Sequence, residues 1–100
     1  MIKVCYEGQI EMSSEEALDE RFKKYWKVDD LLISKWCENE LYKKYKQNFV
    51  LIGLVDAPDD EDEDVISGWF NFHLEFKDEK EKQEFEKVRD ENNIEIYETQ

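Results

Sequence analysis

Two apolar runs of strand length, Phe49–Val55 and Val65–Phe76, flank six consecutive carboxylates, Asp59 to Asp64. Six adjacent like charges repel one another and stay in water as a loop. The runs on either side are therefore expected to fold back on each other as an antiparallel hairpin, with an acidic loop over residues 56–64. The first run shows no alternation, the pattern of a central strand covered on both faces. The second has a period of two: Ile66, Phe70, Phe72, Leu74 and Phe76 share one face, and Trp69, Asn71, His73 and Glu75 share the other.

The same period opens the chain. Ile2, Val4, Tyr6, Ile10 and Met12 alternate with Lys3, Cys5, Glu7, Gln9 and Glu11, which predicts one strand, bulged at Gly8. Ser13-Ser14-Glu15-Glu16 then has the form of a capping box, the Ser13 hydroxyl taking the Glu16 amide and the Glu16 carboxylate reaching back. The helix it starts carries Ala17, Leu18, Phe22, Tyr25 and Trp26 at helical spacing. Asp29-Asp30 can cap a second helix reaching Tyr45, and Asp78 a third that passes Phe85 and Val88 and stops at Asn92-Asn93. Ile94 and Ile96 against Glu95 and Glu98 give a short last edge strand.

The element order is thus β-α-α-β-β-α-β, which by analogy is the split β-α-β order of ferredoxin-like domains when the first two helices form one crossover. The fold class expected is α+β, a small single domain over residues 1–100 with a mixed or antiparallel four-stranded sheet and helices mainly on one face. Forty per cent of the residues are hydrophobic and fourteen per cent of the chain is aromatic, which supplies enough apolar surface for a core. Only three Gly and one Pro argue against a many-stranded sandwich or barrel.

Charge narrows the partners. Residues 1–50 hold ten Asp/Glu against nine Lys/Arg, and residues 51–100 seventeen against five, so nearly all of the net charge of −13 lies in the second half. Nucleic acid phosphates and anionic lipid repel such a chain, so neither is expected as a direct partner. A basic protein is. No basic-plus-apolar leader opens the sequence and no apolar run nears the ~20 residues of a membrane span. With only Cys5 and Cys37, reduced thiols in a cytoplasmic protein are expected.

Chemistry is thinly supplied. His73 is the one histidine, with Cys5 or Cys37 as the available nucleophiles, and no phosphate loop or metal triad accompanies them. Asp60, Asp62 and Asp64 match the first ligand positions of an EF-hand loop, but Val65 replaces the turn glycine and Asn71 the bidentate glutamate. No cofactor, no metal site and no enzyme activity are expected.

The acidic block is then either a solvated turn or a surface that imitates nucleic acid. Six residues span at most about 20 Å, over which duplex DNA carries roughly twelve charges. Asp59, Asp60, Glu61, Asp62, Glu63 and Asp64 supply half of that, so a mimic needs a second row of acid, sought in Asp56 and in the third helix from Glu79 onward. Trp69, opposite the apolar face of its strand, suits an aromatic anchor for a cation-rich partner. The function expected is an inhibitor that covers the phosphate-binding surface of a basic nucleic-acid-handling protein, on the logic of anti-restriction, anti-CRISPR and nuclease-immunity proteins. The alternative is a non-enzymatic assembly module with an apolar surface, its acids serving solubility; the oligomeric state is left open.

Overall fold

The computed structural model describes residues 1–16, 28–59 and 65–99. The two alternating segments become β1 (Ile2–Ser13) and β3 (Val65–Phe76), which pair antiparallel from Ile2↔Phe76 to Ser13↔Val65 with no register break. β2 (Phe49–Asp59) pairs antiparallel with β3 as the expected hairpin, and β4 (Tyr97–Glu98) pairs antiparallel with β1. The sheet order is β2-β3-β1-β4. Strands joined through helices, β1 to β2 and β3 to β4, each have one strand between them, which is the interleaved split β-α-β arrangement.

The described helices are α1 (Val28–Trp36), α2 (Glu40–Tyr45) and α3 (Glu79–Glu91), with a 3-10 turn over Lys46–Asn48 leading into β2. They lie on one face of the sheet. Leu31 and Leu32 of α1, Leu41 and Tyr45 of α2, and Phe85 of α3 join Tyr6, Ile10, Met12, Phe70, Phe72, Leu74 and Phe76 in a single buried cluster. Phe85 is its centre, with ring centroids 5.3 Å from Tyr6, 5.2 Å from Tyr45 and 5.2 Å from Phe76. The alternate residues of β1 and β3 form the other face, on which none of the described helices packs.

Capping follows the sequence at α3. Asp78 accepts from the Glu81 amide at 2.9 Å, and Asn93, with φ of 55°, takes the left-handed turn after the helix. At the first helical turn, residues 14–16, the Glu16 amide donates to Ser13 Oγ at 3.1 Å as expected. The Glu16 carboxylate does not reach back, however; it pairs with Lys35 of α1 at 2.7 Å. The apolar stripe Ala17 to Trp26 lies outside the described residues.

Four expectations are corrected. Asp29-Asp30 does not cap a helix, because α1 is already helical at Val28. The helix expected to reach Tyr45 breaks after Trp36, and Asn39 caps α2 by accepting from the Tyr42 amide at 2.7 Å. The unalternating run Phe49–Val55 is not a central strand: β2 is an edge, with register shifts between Phe49 and Leu51 and between Leu54 and Asp56. A bulge adds a residue and so brings Phe49 and Ile52 both onto the core side, which reads in sequence as two-sided burial.

The fourth concerns the two ends of the chain. Gly8 is no bulge, since it sits in unbroken register opposite Phe70. It is glycine because residues 95–96 cross over it: a Cβ there would lie 2.6 Å from the Glu95 carbonyl oxygen and 2.8 Å from the Ile96 side chain. That crossing turns Ile94 and Ile96 into core fillers rather than strand residues, and the ladder forms only at Tyr97–Glu98.

Candidate functional site

The open face of the sheet is assembled by period-two alternation alone. β1 places Lys3, Cys5, Glu7, Gln9 and Glu11 there, and β3 places Ser67, Trp69, Asn71, His73 and Glu75, paired Lys3↔Glu75, Cys5↔His73, Glu7↔Asn71, Gln9↔Trp69 and Glu11↔Ser67. Asp56 of β2 stands opposite Trp69 on the other side, and Tyr97 of β4 stands opposite Glu7. Trp69 keeps 38 % of its surface exposed, and its Nε1 donates to Glu7 Oε2 at 3.3 Å. That bond orients the indole without burying it.

Carboxylates therefore stand on both sides of Trp69. Asp56 is on β2, Glu7 and Glu11 are on β1, and β3 runs between them. Two strand spacings set the rows about 10 Å apart, between the ~6 Å and ~12 Å widths of the two grooves of duplex DNA. Glu7 and Glu11 were not among the residues expected at a partner surface. Their signal was the alternation of β1, but which strand they would join depends on a pairing with residues far along the chain.

The remaining expected residues divide. Asp59 ends β2 at the register position of Ser67, two residues from Trp69 along β3. Asp60, Glu61, Asp62, Glu63 and Asp64 lie outside the described residues, and the partial EF-hand pattern with them. Glu79 is exposed but follows the opposite end of β3 from Val65, about 35 Å away at strand rise. The rest of α3 packs on the covered face. Three of its acids are engaged: Glu81 accepts from Asn48 Nδ2 and from the Lys77 amide, each at 2.9 Å, and Glu86 and Asp90 lie within ion-pair distance of Arg89. The acids beside Trp69 on the open face thus belong to β1 and β2 and not to α3.

The thiols and the histidine are separated in part. Cys5 and His73 are register partners on the open face, beside a shallow depression of about 380 Å³ lined also by Lys3, Val50, Leu51 and Glu75. Cys37 follows α1, where burial raises its thiol pKa and so disfavours the thiolate. Among the described residues no cluster of three or more His, Cys, Asp or Glu could hold a metal ion. Nor is any described helix long and apolar enough to cross a membrane. No protein-family model matches the chain, and comparison with curated proteins and with solved structures finds no significant match.

Proposed function

We propose that this chain is an acidic binding protein that occupies the phosphate-binding surface of a basic, nucleic-acid-handling protein and so inhibits it. The observation that supports this reading best is Trp69, half-exposed on an open sheet face, oriented by Glu7 and flanked by Asp56 and Glu11. An arginine of the partner would stack on the indole while its neighbours meet the carboxylate rows, an arrangement that strengthens as water leaves the contact. The carboxylates that follow β2 in sequence, Asp59 to Asp64, add long-range attraction and release of the partner's bound anions.

The test is capture from the native source with the full chain immobilised, followed by elution with duplex DNA. Basic nucleic-acid-binding proteins should be retained, displaced by the DNA, and held roughly tenfold or more weakly as salt rises from about 50 to about 200 mM. Retention should fall with Trp69→Ala and with replacement of Asp59 to Asp64 by the corresponding amides. Captured proteins that ignore the DNA, the salt and both sets of substitutions would end the mimic reading.

A further inference from the structure

β4 is only two residues long, yet it is pinned on both sides of Tyr97. Before it, Ile96 is buried in the core and its carbonyl accepts from Arg89 Nη1 at 3.3 Å. After it, the Glu98 carboxylate pairs with Lys82 of α3, and the Thr99 amide and hydroxyl both donate to the Cys5 carbonyl, at 2.8 and 3.1 Å. Tyr97 itself faces the other way, onto the open face opposite Glu7, with 63 % of its surface exposed. An exposed ring on so fixed a backbone loses little freedom when something covers it. Between Tyr97 and Trp69 lies a carboxylate short of a counter-charge. Glu7 is half-buried, its Oε2 accepts from the Trp69 indole at 3.3 Å, and among the described residues no lysine or arginine comes within ion-pair distance of it.

We infer that Trp69, Glu7 and Tyr97 form a slot for the guanidinium of one arginine side chain, an inference that rests on the open face being the partner-binding face and names the group it takes. Trp69 reaches Glu7 from β3 and Tyr97 reaches it from β4, so the two aromatic residues stand on strands about 10 Å apart with the carboxylate between them. A guanidinium is planar: it stacks on the indole, its edge donates to Glu7 Oε1, and the phenol closes the far side. The indole bond to Oε2 holds the carboxylate in place for that contact. A lysine ammonium is compact and strongly hydrated, with no flat face to lay on a ring, and gains less from the same three groups. Asp56 and Glu11 stand outside the slot and attract either cation alike. Selectivity for arginine over lysine therefore resides in the slot, with Tyr97 as its second aromatic contact.

Calorimetric titration of the full chain at low salt with two glycine peptides of equal length, one bearing arginines and the other the same number of lysines, tests this. The peptides carry equal charge, so long-range attraction cancels in the ratio of their affinities. The arginine peptide should bind about fivefold or more tightly than the lysine peptide. Tyr97→Ala and Trp69→Ala should each cut that ratio by about half or more, Glu7→Gln should bring it close to one, and Tyr97→Phe, which keeps the ring, should preserve it. Far-ultraviolet circular dichroism checks the fold of each variant, and Tyr97→Ala, the most exposed of the three positions, decides if another variant unfolds. Absence of binding, equal affinity of the wild type for the two peptides, or a ratio unmoved in folded Tyr97→Ala overturns the slot. Equal affinities that still fall with salt overturn the slot and leave the phosphate-surface reading standing. An arginine preference lost in Tyr97→Ala supports the slot even where the captured proteins ignore duplex DNA, the result that ends that reading instead.

Discussion

The two faces of the sheet are made from the same strands, residue by residue in alternation, and share almost no chemistry. On the covered face Tyr6, Phe70, Phe72, Phe76 and Phe85 are fully buried, and the Phe85 ring meets those of Tyr6 and Phe76. The open face sets Trp69 and Tyr97 among Glu7, Glu11, Asn71 and His73, where Tyr97 keeps 63 % of its surface exposed. Burial and exposure therefore fall on opposite parities of one strand, and the proposed recognition falls with the exposed parity. A substitution at one position should disturb folding, and at the next should disturb only binding.

Phe85→Ala should break the covered face most severely. It removes the ring that joins α3 to Tyr6, Tyr45 and Phe76, with an expected loss of about 3–5 kcal/mol in urea unfolding. Gly8→Ala comes next. A methyl 2.6 Å from the Glu95 carbonyl must push residues 94–96 off β1, at a cost of about 1–3 kcal/mol, and hydrogen exchange should rise at Tyr97 and Thr99, because the Thr99 amide donates to Cys5 in this structure.

Tyr6→Phe should act in the opposite direction. Its hydroxyl is buried and makes no hydrogen bond among the described residues, so its removal should raise stability by about 1 kcal/mol at neutral pH. The phenol pKa is pushed far above its usual value, first by burial and then by Glu86 and Glu98. The folded chain thus holds a proton that the unfolded chain releases near pH 10, so the proton leaves stability unchanged well below that pH and lowers it as pH rises through it. Above about pH 10 the wild type should lose up to ~1.4 kcal/mol per pH unit from this group, and Tyr6→Phe should show a flatter alkaline limb. Trp69→Ala marks the small end of the series. An exposed side chain on the open face should cost no more than about 0.5–1 kcal/mol of stability, measured alongside its loss of partner binding.

What could be read from the chain beforehand follows the range of the forces involved. β1, β3 and their common parity were visible because alternation is local, and α3 was visible from Asp78 and Asn92-Asn93 because caps are local too. β2 was misplaced because bulges erase alternation, and residues 94–96 because a crossing over Gly8 borrows two isoleucines that also fit a strand. The candidate site divides in the same way. Trp69 stood out by parity within its own strand, whereas its partners Glu7 and Glu11 come from a pairing decided by the whole fold. Glu79 was placed near the acidic block because sequence distance hides the length of β3.

The unbroken pairing of β1 with β3 has a consequence in time. Ile2 must find Phe76 and Ser13 must find Val65, so every contact of the central ladder joins residues more than fifty positions apart. During synthesis β1 is finished long before its partner exists, while the β2–β3 hairpin closes over a short span but against the mutual repulsion of its six carboxylates. Ladders of such long range fold slowly, in milliseconds to seconds, and added salt should speed this step by screening those carboxylates.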